Sequence, residues 1–118
     1  MYQENVVLCA SSFYEQKYYL NEDFAGLPDA IKDELKIMCV LYTEDVGGAL
    51  SLEFEDDGTL VFNVTSDEED LLFDEIGSVL KVKELQREKT DFLESLELYY
   101  KAFFLDGDVN SLLDLEEE

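Results

Sequence analysis

The stretch that decides the fold is ALSLEFEDDGTLVFNVT, residues 49–65. Its two halves alternate apolar and polar side chains with a period of two, which is typical of strands that bury one face. Asp56-Asp57-Gly58 separates the halves, and an Asp-Gly pair between two alternating runs predicts a β-hairpin with a tight primed turn. We therefore expect an antiparallel sheet with one face on a core and a mostly polar face outside.

Two further strands are expected before this hairpin. Residues 5–12 form a short apolar run that is compatible with a β-strand, and residues 13–21 are rich in aromatic side chains, which strands favour. We interpret the second run as a strand that is joined to the first by a hairpin.

Apolar side chains recur at helical spacing in the next part of the chain: Leu27, Ile31, Leu35, Met38, Cys39, Tyr42 and Val46. This spacing predicts a helix over about 28–45 with one apolar face. Pro28 suits the first turn of a helix, and Gly47-Gly48 suits its end. The continuous apolar run 37–42 is also compatible with a strand, but the periodicity and the glycine pair favour the helix.

A second helix is predicted over 67–80, because Ser66 followed by Glu69 matches a capping box. Its inner face is expected to carry Leu72, Phe73, Ile76, Val79 and Leu80. A further helical stripe over 82–104 consists of Leu85, Phe92, Leu96, Tyr99 and Phe103. The pattern leaves open whether one bent helix or two separate helices carry these residues.

These elements predict a single α+β domain over residues 1–105, in which an antiparallel sheet carries about three helices on one face. A chain of 118 residues is long enough to build one hydrophobic core without disulfide bonds. Residues 106–118 end in three consecutive glutamates, and we expect them to form a frayed or disordered acidic tail.

Most of the chain resembles a group of small, acidic, uncharacterised bacterial proteins that share a domain of unknown function. The resemblance rests on four segments: residues 27–35, 40–48, 74–77 and 83–89. It implies a bacterial, cytoplasmic protein, and it brings no activity, cofactor or catalytic residue.

Charge is the strongest functional signal in the chain. There are 30 Asp and Glu residues against 8 Lys and Arg residues, which gives a formal net charge of -22. Direct binding to nucleic acid or to an anionic membrane is disfavoured, because such contacts need Lys and Arg. A basic protein surface is the natural partner for so acidic a domain.

The negative charge is concentrated in the middle of the sequence, since no Lys or Arg lies between Lys36 and Lys81. The residues predicted to bind a basic partner are Glu53, Glu55, Asp56, Asp57, Asp67, Glu68, Glu69 and Asp70. The alternative is a solvated surface that serves only solubility, as most runs of charge do. The leading hypothesis is a non-enzymatic protein-interaction domain, whose oligomeric state the sequence leaves open.

Missing residue types restrict the catalytic and cofactor chemistry. The chain has no histidine, which excludes Ser-His-Asp and Cys-His catalytic arrangements. Cys9 and Cys39 lie far apart in two apolar runs, so we expect buried free thiols rather than zinc ligands. Gly47-Gly48 lacks the Lys-Ser/Thr of a phosphate-binding loop. We therefore expect no cofactor and no enzymatic activity. A small enzyme that uses only carboxylates is kept as the third hypothesis, after the two binding hypotheses.

The second hypothesis is a protein that binds a divalent cation through its acidic tail or through the Asp56-Asp57 turn. Five residues with side-chain oxygen ligands occupy positions 1, 3, 5, 9 and 12 of a calcium-loop pattern: Asp106, Asp108, Asn110, Asp114 and Glu117. Position 6 of that pattern is Ser111, where the sharp turn needs glycine. Neither a signal peptide nor a membrane-spanning apolar run is evident, which favours a cytoplasmic location.

Overall fold

A computed structural model describes residues 5–105, with Leu105 described by its backbone alone. The strands are β1 (Val6–Ser12), β2 (Lys17–Leu20), β3 (Ala49–Phe54) and β4 (Leu60–Thr65). The helices are α1 (Asp29–Val46), α2 (Glu75–Glu88) and α3 (Thr90–Tyr100). A 3₁₀ turn at Glu22–Phe24 precedes α1, and a π-helical turn at Lys101–Leu105 follows α3.

The four strands form one antiparallel sheet in the order β2-β1-β3-β4, and the helices make the chain an α+β protein, as the sequence predicts. The predicted alternation in β3 is confirmed, because Leu50, Leu52 and Phe54 are all buried. Side chains alternate between the two faces of a strand, so Ser51 and Glu53 lie on the face of the sheet away from the core. We call this outer surface the open face.

The hairpin between β3 and β4 has a longer turn than the predicted two-residue primed turn. Phe54 pairs with Leu60, and one further hydrogen bond joins the Glu55 amide to the Thr59 carbonyl at 2.8 Å. The Gly58 amide donates to the Glu55 carbonyl at 2.9 Å, and Gly58 has a φ of 91°. A three-residue loop that ends in a left-handed glycine therefore joins the strands, which is a common alternative to the primed turn.

The first hairpin also differs from its prediction. Ser12 pairs with Lys17, so residues 13–16 form a turn and β2 begins four residues later than predicted. Gln16 adopts a φ of 55° in this turn. Because a left-handed residue is usually Gly, Asn or Asp, Gln16 gives no sign of a turn in the sequence.

Helix α1 lies on the core face of the sheet and confirms the predicted helix. Its buried side chains include Leu35, Met38, Cys39 and Tyr42, which are four of the predicted apolar positions. The amide of Gly47 donates to the Thr43 carbonyl at 2.8 Å, so the glycine pair ends the helix as expected.

Two side-chain contacts join α1 to β1 inside the core, one between hydroxyl groups and one between thiols. The hydroxyls of Ser11 and Thr43 are hydrogen-bonded at 2.8 Å, and the sulfurs of Cys9 and Cys39 lie 3.7 Å apart. Both cysteines are free and buried, which confirms the predicted thiols. The hydrogen bond with Cys9, together with burial, raises the pKa of Cys39, so this thiol stays protonated.

The second helix begins later than predicted and buries a different face. Ser66 does not cap it, and instead the Asp74 carboxylate accepts a hydrogen bond from the Gly77 amide at 2.8 Å. Of the predicted inner residues, Leu72, Ile76, Val79 and Leu80 are exposed. The side chains that α2 buries are Ser78 and Leu85.

Packing against α1 explains which face of α2 turns inward. The Tyr42 hydroxyl donates to the Ser78 carbonyl at 3.1 Å, and the small Ser78 side chain allows that close approach. The break between the last two helices lies at Lys89 rather than near residue 81, since Lys89 has non-helical backbone angles and ends α2. Two helices, not one bent helix, therefore follow the second hairpin.

An aromatic cluster closes the core at the end of the sheet that carries the second hairpin turn. Phe54 stacks on Tyr100 with ring centroids 4.1 Å apart, and Phe24 contacts both rings. Phe104 packs against Phe24 at 4.8 Å. Over residues 5–105, no helix combines the length and the apolar character needed to cross a membrane.

Candidate functional site

The open face of the sheet forms a shallow trough, with a volume of about 800 Å³, near the first hairpin turn. Its floor consists of four small side chains on the paired strands β1 and β3: Ala10, Ser12, Ala49 and Ser51. Small side chains leave space above the sheet, and this space makes the surface concave. We call it the open-face trough.

The rim of the open-face trough combines aromatic rings with carboxylates. Tyr19 neighbours Ala10 in the sheet and is 53% exposed. Tyr14, Glu15 and Asp67 line the same space, together with Lys17 as its one basic residue among those described. Tyrosine and carboxylate side chains at a concave surface suit a ligand that is both cationic and partly apolar.

Tyr14 ties the acidic segment after β4 to the first hairpin turn. Its hydroxyl donates to the Asp70 carboxylate at 2.6 Å and accepts a hydrogen bond from the Asp67 amide at 3.0 Å. The hydrogen bond to Asp70 raises the pKa of Tyr14, so the phenol stays neutral and can keep donating. One tyrosine therefore places Asp67 at the rim.

Glu53 lies on the open face and is held by three side-chain donors. Ser51 donates at 2.6 Å, Asn63 at 3.1 Å and Asn5 at 3.3 Å. The hydrogen bond from Ser51, with those from Asn63 and Asn5, lowers the pKa of Glu53. Its carboxylate is therefore ionised and oriented, and it organises polar side chains across β3 and β4.

We expect the Glu53→Gln substitution to remove up to about 1 kcal/mol of stability at pH 7, because the donors lose a charged acceptor. A lowered folded-state pKa stabilises the protein above the unfolded-state pKa, and this stabilisation disappears as the pH falls through the folded-state value. The difference between wild type and variant should thus shrink between about pH 5 and pH 3. Urea denaturation of wild type and variant at pH 7 and at about pH 3 measures the difference in their stability. A difference that is the same at both pH values would contradict this account.

The eight predicted partner-binding residues do not form one patch. Glu55, Asp56 and Asp57 occupy the β3–β4 turn, whereas the segment 67–70 follows β4 at the opposite end of the hairpin. A six-residue strand spans about 17 Å, so at least that distance separates the two acidic groups. Glu53 lies between them. Asp57 accepts a hydrogen bond from the Thr59 amide at 2.9 Å, which lowers the pKa of Asp57 and stabilises its own turn.

The roles of Tyr14 and Tyr19 are not predicted from the sequence. Both lie within the aromatic run 13–21, which predicts one strand, whereas Tyr14 belongs to the turn 13–16 and Tyr19 to β2. No alternation in the sequence marks the start of β2, since Lys17 is followed by three consecutive aromatic or apolar residues, and only the structure shows that burial alternates along this strand. The partner of Tyr14, Asp70, lies far along the chain and becomes its neighbour only through the sheet.

The described part of the chain contains no group of three or more Cys, Asp or Glu side chains placed to hold a metal ion. The predicted calcium loop, which comprises Asp106, Asp108, Asn110, Asp114 and Glu117, lies outside the described residues.

Comparison with known proteins gives one finding. The model of a family of unknown function, DUF6145, matches residues 5–108. No curated protein and no solved structure matches the chain.

Proposed function

The chain belongs to the DUF6145 family of unknown function, and we propose that it is a non-enzymatic domain that binds a basic protein segment in its open-face trough. The observation that carries the proposal is the clamp of Tyr14 on Asp67 and Asp70, which holds an acidic segment against a concave, tyrosine-lined surface. A ligand in the trough would contact the exposed ring of Tyr19 and the carboxylates of Glu15 and Asp67.

The charges around the trough support a cationic ligand. Within residues 5–105, ion pairs join Lys32 to Asp29, Lys81 to Glu84, and Lys89 to Glu34. None of these pairs includes a carboxylate of the trough, so no described Lys or Arg side chain forms an ion pair with Glu15 or Asp67. Lys and Arg side chains of a ligand would also gain cation–π contact with Tyr19.

The chemistry of the open face favours binding over catalysis. A carboxyl group that acts as a general acid near neutral pH needs a raised pKa. Glu53, the carboxylate with the most hydrogen bonds on this face, has a lowered pKa instead. Tyrosine is also enriched in protein interfaces, where its ring buries area and its hydroxyl finds a partner.

Two variants of equal charge test where the partner binds. We expect Glu15→Gln/Asp67→Asn, in the trough, to weaken binding about tenfold or more, because interface carboxylates steer and hold a basic ligand. The control Glu55→Gln/Asp56→Asn removes the same charge at the distant turn and should leave affinity within about twofold. The partner is isolated from a lysate at low ionic strength, purified, and titrated against each variant by calorimetry.

The second test repeats the titration at increasing salt concentration and measures how the affinity changes. Affinity for wild type should fall as ionic strength rises, because salt screens exposed charges. Equal losses in the two variants would show that overall acidity, not the trough, determines binding. Full affinity in both variants would also reject the proposal.

A further inference from the structure

Helix α2 carries an exposed stripe that no other described part of the chain covers. Residues three and four apart share one helix face, so Ile76, Val79, Leu80, Lys83 and Arg87 lie together, opposite the buried Ser78 and Leu85. Ile76 is 75% exposed and Leu80 is 62% exposed. We call these five residues the α2 stripe.

The two ends of the α2 stripe differ in character. Its first half is apolar, and its second half ends in the basic residues Lys83 and Arg87. Among the described residues neither of these two forms an ion pair, whereas the neighbouring Lys81 and Lys89 each do. Immediately before the helix lies the acidic segment 67–74, which also exposes Leu71 and Leu72 almost completely.

This arrangement is complementary to itself under a two-fold axis. If two copies of α2 pack antiparallel, with the axis level with the midpoint of Ile76 and Leu80, the apolar halves face each other. At a rise of about 1.5 Å per residue, Lys83 and Arg87 of one helix then lie about 3 Å and about 9 Å beyond Glu75, the first residue of the other helix. This is the end at which the acidic segment 67–74 enters that helix. The basic end of each copy therefore lies against the acidic segment of its partner. A closed two-fold interface requires such matching of a surface with itself.

We infer that the chain forms a two-fold symmetric dimer through antiparallel packing of the α2 stripe, with Lys83 and Arg87 paired to the acidic segment 67–74 of the second copy. The α2 stripe and the open-face trough lie on opposite sides of the sheet, but both proposals use the acidic segment, which supplies Asp67 to the trough and Glu68 and Glu69 to the pairing. The dimer does not require a ligand in the trough, so the oligomeric state tests this inference and ligand affinity tests the proposed function. A second copy fits better than a basic partner here, since the stripe itself supplies the positive charge.

The first test measures the oligomeric state of the full chain by sedimentation equilibrium at about 0.15 M salt. We expect a concentration-dependent monomer–dimer equilibrium for wild type. Leu80→Asp should weaken the dimer at least about tenfold, because each of the two copies would place a new charged side chain in the apolar part of the interface. The matched control Leu98→Asp changes a residue of similar exposure, 55%, on α3 and should leave dimerisation intact. A monomeric wild type would overturn the inference.

The second test exchanges charges and identifies the pairing. Lys83→Glu/Arg87→Glu and Glu68→Lys/Glu69→Lys should each be monomeric, because like charges then meet across the axis. An equimolar mixture of the two variants should dimerise, because each interface now pairs opposite charges. Lys36→Glu/Lys101→Glu changes net charge as much as the first variant does, at exposed sites away from the stripe, and should still dimerise. A mixture that stays monomeric would overturn the proposed pairing. Circular dichroism confirms that each variant is folded.

Discussion

Replacing Phe54 with alanine is expected to reduce the free energy of unfolding by about 3–5 kcal/mol, the usual loss for a large aromatic side chain in a packed core. Phe54 is buried and stacks on Tyr100 with an angle of 7° between the rings. It also contacts Phe24, whose ring lies 5.7 Å away, so one truncation removes an aromatic contact from both Tyr100 and Phe24. The cavity would open between the sheet and the end of α3.

Urea denaturation of wild type and variant at pH 7 measures this loss. The matched control is Phe103→Ala, because Phe103 packs on Tyr99 near the aromatic cluster, with ring centroids 4.9 Å apart, but is 60% exposed. We expect the control to change stability by no more than about 0.5 kcal/mol. Losses of similar size in the two variants would mean that Phe54 does not anchor the core as described.

The local elements of this fold are well encoded in the sequence. The alternation in β3 identifies the buried side chains correctly because strand geometry alone determines which residues share a face. The periodicity of α1 and its terminal glycine pair predict that helix closely, since both signals act over a few neighbouring residues.

Other features depend on contacts between distant segments, and there the sequence was misleading. The α2 stripe has correct helical spacing, yet spacing cannot show whether the core or the solvent meets that face. Ser78 turns inward because Tyr42 of α1 binds its carbonyl. In the same way, the segment after β4 matches a capping box, but Tyr14 and a hydrogen bond from the Asp70 amide to the Asp67 carbonyl hold it as a turn.

The candidate site also combines a feature that the sequence predicts with others that depend on contacts between distant segments. Composition predicts an acidic surface, and the structure shows many of the acidic side chains exposed. Which of them share a surface depends on the hairpin, whose length separates the turn at 55–57 from the segment at 67–70. The small side chains that form the floor of the open-face trough come from two strands that are far apart in sequence, so no local pattern reveals the concavity.

The junction that positions the acidic segment should be highly sensitive to one methyl group. Gly48 has a φ of 71°, and its carbonyl accepts a hydrogen bond from the Phe13 amide at 2.9 Å. A Cβ atom at this position would lie 2.6 Å from the Thr65 carbonyl oxygen and 2.7 Å from the Phe73 ring. We expect Gly48→Ala to reduce stability by about 3 kcal/mol, because backbone strain and overpacking act together.

The matched control for this prediction is Gly26→Ala, which adds the same methyl group where the nearest atom, the Tyr99 hydroxyl oxygen, is 3.7 Å away. Gly26 does not have a positive φ, so alanine there should be neutral or stabilise the fold by up to about 1 kcal/mol. Thermal and urea unfolding of both variants distinguish strain from a general effect of losing glycine. Equal responses would contradict the close approach at Gly48. Since Thr65 and Phe73 flank the segment 67–70, the strained variant should also bind a partner of the open-face trough more weakly.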